Sequence, residues 1–242
     1  MFLFSPPKKY ENCPLAKQIA TSFSSSDNVS NTCFDLVHSD VWGPSPILSI
    51  SGYSYYICFI NDFSRYTWVY LLRHRSEVFQ VHTDFTNMIH TQFQKRIKIF
   101  RSDGAKEYLS TSMQNLLKTH GTIHQQSCPH THQQNGTAER KHRHLLDVTR
   151  SLLLFASMPK SYWAEAVLTA TLLINITPSS AIGHDTPYSR MHTTSFDYTV
   201  LRTFECVCYV LLPTHEKDCH RSHADAYLWD TVPYIKVIGA TI

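Results

Sequence analysis

Three acidic residues stand where a metal site would need them. Asp40 lies at the end of the first predicted strand, Asp103 ends the fourth just before Gly104, and Glu139 lies in the first turns of a long predicted helix. Carboxylates that are brought close together repel one another, so they stay ionised together only around a cation. Hard oxygen ligands suit Mg²⁺ or Mn²⁺, and two such ions about 3.5–4 Å apart can assist a displacement at phosphorus. Taken singly, the same residues also fit a strand end, a turn and a helix N-terminus.

Basic and polar side chains next to Glu139 suit a phosphate backbone. Three cations follow it on the helix, namely Arg140, Lys141 and Arg143. Residues 140 and 143 are three apart and share a helical face, whereas Lys141 points elsewhere. The loop before the helix carries three amides able to bond DNA backbone or base edges, namely Gln133, Gln134 and Asn135. The alternatives are a solvated basic face for the helix and a plain entry loop for the amides.

Hydrophobic patterns predict the elements that position these residues. Alternating or dense β-branched and aromatic runs predict five strands, over 34–41, 53–60, 67–72, 97–100 and 122–126. Helical spacing predicts four helices, one beginning with Ser76 as N-cap and ending near 93, and others over 113–119, 137–156 and 161–175. The first three strands follow one another closely and predict an antiparallel meander. The fold class is therefore α/β, a five-stranded mixed sheet flanked by helices.

Composition excludes several classes of protein. The 242 residues are 43% hydrophobic and 17% charged, with 7 Gly, which excludes disordered and collagen-like chains. No apolar run reaches the roughly 20 residues of a membrane span. The seven scattered cysteines are interpreted as buried thiols of a reducing compartment. A net charge of +3 is too small to indicate a nucleic-acid partner, so that case depends on where the charges lie.

Four short motifs give the acids a common context. In chain order they are HSDVWGP at 38–44, DFSRYTWVY at 62–70, RSDG at 101–104 and QQNGTAERK at 133–141. Together they resemble the retroviral-type integrase core of copia-like retrotransposons, over about residues 34–212. Thirty-five residues separate Asp103 from Glu139, which is the spacing that names the D,D(35)E group.

The resemblance implies an RNase H-like fold and polynucleotidyl transfer, in which the 3′ ends of element DNA are trimmed and joined to target DNA. By resemblance, Asp40, Asp103 and Glu139 would hold two Mg²⁺ or Mn²⁺ ions. The expected partners are element ends, target DNA and, in an active protein, further copies of the chain, with no membrane. The substrate implies a nuclear location, with a cytoplasmic particle as the other option. His38 and His142 could tune the site, but no physical argument from the sequence assigns either of them a role.

The chain departs from the family at both ends. The family's upstream zinc module ends in a Cys-x-x-Cys motif, of which this chain keeps the last cysteine, Cys13, but has Tyr10 in place of the first. No structural zinc is therefore expected. We therefore predict a module remnant and linker over 1–30, a catalytic core over 31–180 and a degraded, loop-rich extension over 181–242. Two alternatives remain: a catalytically silent nucleic-acid-binding module or element relic, and an RNase H-like nuclease that cuts without joining.

Overall fold

The computed structural model describes residues 30–127 and 135–204, together with the backbone of two short strands farther along the chain. The strands are β1 Leu36–Trp42, β2 Tyr55–Asn61, β3 Thr67–Leu72, β4 Ile99–Ser102, β5 Ile123–Gln126, β6 Val207–Leu211 and β7 His223–Tyr227. The helices are α1 Val78–Phe93, α2 Lys106–Leu109, α3 Thr111–His120, α4 Gly136–Phe155, α5 Trp163–Ile176 and α6 Pro187–His192.

The first five strands form one mixed sheet in the order β3-β2-β1-β4-β5. Strands β1, β2 and β3 are antiparallel neighbours, which confirms the predicted meander. Strand β4 pairs parallel to β1, and β5 pairs parallel to β4. The chain therefore crosses over twice through helices, and the ends of β1 and β4 point the same way. The predicted five-stranded mixed sheet with flanking helices is confirmed.

Strand β2 shows how the sheet supports two cores. Successive side chains of a strand point to opposite faces. On one face Phe59 stacks on Phe85 of α1, with ring centroids 4.0 Å apart. On the other face Cys58 belongs to a cluster with Leu145 of α4 and Val167 of α5. Because both faces are covered, β2 has a continuous apolar run instead of an alternating one.

Helix α5 also satisfies the backbone of the edge strand β3. The buried Asn175 side chain accepts a hydrogen bond from the Thr67 amide through Oδ1 at 2.9 Å. Its Nδ2 donates to the Thr67 carbonyl at 2.8 Å. Buried backbone groups need such partners, so one side chain takes the place of a neighbouring strand at this position.

The prediction of Ser76 as a helix N-cap is wrong. A 3₁₀ turn, Arg75–Glu77, precedes α1, and Ser76 lies within it. The Glu77 side chain accepts a hydrogen bond from the His74 amide at 2.9 Å and so caps this turn, and Glu77 itself is the N-cap residue of α1. The short helix α2, directly after Asp103, was not predicted.

The later part of the chain contains further structure. Met191 of α6 packs into the core on the α1 side of the sheet, and β6 and β7 pair antiparallel as a second, two-stranded sheet. The boundaries at 30 and 180 remain predictions. No single helix in the described residues is long and apolar enough to cross a membrane. Residues 160–176 and 180–192 meet that length and composition only as a pair bent by 47°.

Candidate active site

The sheet register places Asp40 and Asp103 side by side. Strands β1 and β4 are parallel, and His38 is the partner of Arg101. Two residues farther along are Asp40, near the end of β1, and Asp103, directly after β4, so both acids lie near the carboxyl ends of neighbouring parallel strands. Both side chains are half-buried. The sequence prediction that strand ends bring these two acids together therefore agrees with the geometry.

Backbone amides hold both carboxylates. Asp40 Oδ1 accepts a hydrogen bond from the Val41 amide at 2.9 Å. Asp103 Oδ1 accepts one from the Ala105 amide at 3.2 Å. Each acid thus has one oxygen fixed by a backbone amide close to its own strand end.

The environment of Asp103 favours a cation. Burial raises the pKa of Asp103, and the Asp40 and Glu107 carboxylates raise it further. The Ala105 amide and Arg75 oppose them only in part. Arg75 also pairs with Glu107 at 2.7 Å and donates to the Gly43 carbonyl at 3.2 Å, which ties α2 to the end of β1. Two facing carboxylates in partly buried surroundings fit a divalent ion that prefers oxygen ligands.

Glu139 is exposed on the first turn of α4. No three His, Cys, Asp or Glu side chains within residues 30–127 and 135–204 lie close enough together to hold a metal ion. The structure therefore brings Asp40 and Asp103 together but does not gather Glu139 with them. The loop at 128–134, which leads into this helix, lies outside the described residues.

His142 contacts Asp40 and was not assigned a role from sequence. Its Nε2 lies 3.4 Å from Asp40 Oδ2 and 3.6 Å from the Cys58 sulfur, and its Nδ1 lies 3.0 Å from the Tyr56 hydroxyl. Burial by itself lowers the pKa of His142, but the Cys58 sulfur and the Asp40 carboxylate outweigh burial and raise it to about 10. A buried imidazole whose pKa is raised therefore lies against Asp40. One feature of the sequence could have indicated a role for His142 near the acids: it follows Glu139 by three residues, about one helical turn.

His38 serves a different network. Its Nε2 lies 3.0 Å from Asp62 Oδ1, which also pairs with Arg65 at 3.1 Å. Burial alone raises the pKa of Asp62, but the His38 hydrogen bond, the Ser30 amide and Arg65 outweigh burial and hold it well below its usual range. These contacts fix the loop between β2 and β3, and they engage the His38 ring in that loop.

The predicted DNA-binding residues divide by exposure. Arg140 and Arg143 are both exposed, and the Arg140 guanidinium folds back over Gly136 at the start of α4. Lys141 is half-buried, and burial lowers its pKa to about 8. Asn135 is 3% exposed and donates from Nδ2 to the Ser39 carbonyl at 3.4 Å. The predictions for Gln133 and Gln134 lie outside the described residues.

Comparison with known proteins places the chain in a family. Residues 32–132 match the family described as integrase core domain. Over 210 residues, 86% of this chain, the sequence is 38% identical to the retrovirus-related Pol polyprotein from transposon RE1 of Arabidopsis thaliana. The chain belongs to the copia-type integrase cores. A second relative, the Pol polyprotein from transposon TNT 1-94 of Nicotiana tabacum, is 36% identical over 87% of the chain.

This chain spans only a small part of these relatives, 14% of the first polyprotein and 16% of the second. Among solved structures it resembles the catalytic core domain of HTLV-2 integrase, in the dimeric form in complex with magnesium. The TM-score is 0.50 at 14% sequence identity, and the match covers 66% of this chain and 97% of that one. This likeness concerns the fold alone, and it confirms the RNase H-like fold that the sequence motifs implied.

Proposed function

We propose that this copia-type core carries out metal-dependent polynucleotidyl transfer, trimming the 3′ ends of element DNA and joining them to target DNA. One observation carries the proposal: Asp40 and Asp103 lie near the carboxyl ends of the parallel neighbours β1 and β4, and burial together with Asp40 raises the pKa of Asp103. Such a pair is stable in its ionised form when a divalent cation balances it.

Asp40, Asp103 and Glu139 are the proposed ligands of two Mg²⁺ or Mn²⁺ ions. When bound, such ions activate the attacking oxygen and stabilise the leaving 3′ oxygen at phosphorus. The chain contributes position: amides of Val41 and Ala105 orient the two aspartates, and the first turn of α4 supplies Glu139. No covalent intermediate with the protein is needed, so no nucleophilic side chain is assigned.

The DNA backbone is proposed to lie along the exposed face of α4. Arg140 and Arg143 share that face next to Glu139, whereas the half-buried Lys141 is a weaker candidate. Gln133 and Gln134 remain proposed contacts of the preceding loop. The proposed partners are element ends, target DNA and further copies of the chain, and the proposed location is the nucleus.

Product analysis tests this function. The whole chain is incubated with a labelled duplex bearing an element end, a plasmid target and Mn²⁺ or Mg²⁺. We expect labelled strands joined to the plasmid, and no such product with Glu139→Gln. Cut but unjoined strands would indicate a nuclease instead. Full joining by Glu139→Gln would contradict the three-acid assignment.

A silent nucleic-acid-binding module is the second candidate function. It is favoured by the absence, within the described residues, of three grouped metal-binding side chains, and by the His142 imidazole lying against Asp40. Under this alternative the chain binds DNA, and neither metal produces cut or joined strands.

Removing both exposed arginines is expected to weaken DNA binding without affecting folding. Arg140→Gln with Arg143→Gln should lower duplex affinity about tenfold at 0.1 M salt, and should reduce the slope of log affinity against log salt by about 2. Fluorescence anisotropy over a salt series measures both. The matched control is Lys95→Gln with Arg96→Gln, an exposed basic pair before β4, at the opposite end of that strand from Asp103. Equal losses for the two pairs would mean that only net charge matters.

A further inference from the structure

One buried residue contacts the segments that carry all three acids. Ser39 directly precedes Asp40 on β1. Its hydroxyl lies 2.9 Å from the hydroxyl of Tyr108, in the short helix α2 that follows Asp103. Its carbonyl accepts a hydrogen bond from Nδ2 of Asn135, the residue directly before α4, and α4 is the helix that carries Glu139. The contacts of Ser39 thus join β1, α2 and the start of α4.

Burial makes these contacts costly to lose. Ser39 and Tyr108 are fully buried and Asn135 is 3% exposed. A buried hydroxyl left without its partner costs more than the hydrogen bond contributes when it is formed. The Tyr108 ring packs on Phe100 of β4 with centroids 5.8 Å apart. Ring packing on β4 and the hydroxyl contact with Ser39 on β1 therefore both hold the Tyr108 side chain. The bridge is therefore part of the packed interior of the protein.

The bridge is also close to the acids themselves. Burial raises the pKa of Tyr108 far above its usual value, and the charges of Asp40 and Asp103 contribute to that rise. Only two residues separate Asp103 from the start of α2. Anchoring Tyr108 to β1 therefore limits how far Asp103 can move relative to Asp40.

We propose that Ser39, Tyr108 and Asn135 form a positioning bridge that sets the spacing of Asp40 and Asp103 for metal binding and anchors the start of α4, the helix that carries Glu139. The inference rests on the proposed function, because it assigns these residues to the metal site of that reaction. It also reassigns Asn135, which the sequence predicted as a DNA contact. Its Nδ2 is committed to Ser39, and its Oδ1 is buried with no hydrogen-bond partner in the described part of the chain.

Calorimetric titration of the whole chain with Mn²⁺ tests the bridge. Ser39→Ala and Tyr108→Phe each remove one hydroxyl and keep the surrounding packing. We expect each to weaken Mn²⁺ binding about fivefold, and the double variant to lose no more than either alone, because all three lack the same hydrogen bond. Tyr70→Phe, which removes a hydroxyl from a half-buried tyrosine on β3, is the matched control and should leave Mn²⁺ affinity unchanged.

A kinetic measurement separates positioning from general stability. In the joining assay Tyr108→Phe should lower kcat while KM for DNA stays unchanged. Asn135→Ala should behave in the same way, whereas a rise in KM for DNA with unchanged Mn²⁺ affinity would make Asn135 a DNA contact and overturn its place in the bridge.

The outcomes distinguish the inference from the function on which it rests. If the native chain binds Mn²⁺ and Asp103→Asn does not, but Ser39→Ala and Tyr108→Phe bind like the native chain, the bridge is overturned and the proposed function stands. Independent losses that multiply in the double variant also overturn it. If the native chain binds no Mn²⁺, the proposed function fails, and the bridge fails with it.

Discussion

Replacing Asp103 by asparagine is expected to raise the melting temperature of the metal-free protein and to abolish its stabilisation by Mn²⁺. The pKa of Asp103 is raised in the folded state, so folding favours its protonated form. The stability that this group contributes is present below its ordinary pKa and is lost as pH rises through the raised value. At pH 7.5 the ionised carboxylate therefore opposes folding, and the neutral amide removes that repulsion from Asp40.

The metal reverses this order for the native chain. A ligand that binds only the folded state at 100 times its Kd adds about 2.7 kcal/mol, which is about 5–10 °C for a chain of this size. Thermal melts with and without millimolar Mn²⁺ measure the effect. Asp84→Asn, which changes an exposed aspartate on α1, should keep the full Mn²⁺ stabilisation. Equal stabilisation of Asp103→Asn would place the ion elsewhere and contradict the site.

The second large effect is expected at His82, in the core between the sheet and α1. The side chain is fully buried, and neither ring nitrogen has a hydrogen-bond partner among the described residues. Its ring meets Phe100 edge-on, with centroids 4.7 Å apart. Burial, with a smaller contribution from His120 and His124, lowers the pKa of His82 to about 3. The folded state therefore holds this imidazole neutral.

The sign of the pH effect follows from that lowered pKa. The unfolded chain takes up a proton at His82 below about pH 6.5, whereas the folded chain does not until about pH 3. Stability from this group is thus complete above pH 6.5 and is lost as pH falls toward 3, at up to about 1.4 kcal/mol per pH unit. His82→Leu should remove that loss and gain about 3 kcal/mol over the native chain between pH 7.5 and pH 4.

Urea unfolding at several pH values measures the difference. His82→Leu should also be more stable at pH 7.5, by about 1–3 kcal/mol, because a buried ring with unsatisfied nitrogens is replaced by an apolar side chain. The control is His90→Leu, an exposed histidine on the same helix, which should leave the acid sensitivity in place. Parallel loss of stability by the native chain and His82→Leu between pH 7.5 and pH 4 would show that His82 is not the cause.

Much of the fold was predictable because its signals are local. The turn between β2 and β3, the dense apolar strands and the helical spacing of α1 and α4 all lie within short windows of sequence. The same local patterns placed Asp40 and Asp103 at strand ends. The N-cap prediction for α1 was wrong although Ser76 has a residue type that favours caps. Only the folded backbone shows that the Glu77 side chain bonds the His74 amide instead.

The order of the elements and the motifs that identify a copia-type core follow from the sequence. The tertiary structure alone decided which side chains meet: His142 against Asp40, Asn135 buried under Ser39, and Tyr108 bonded across from α2 to β1. These contacts join residues that are 102, 96 and 69 positions apart in the chain. Contacts of that kind depend on the sheet order and on which face each helix covers, and no local pattern of residues encodes either of them.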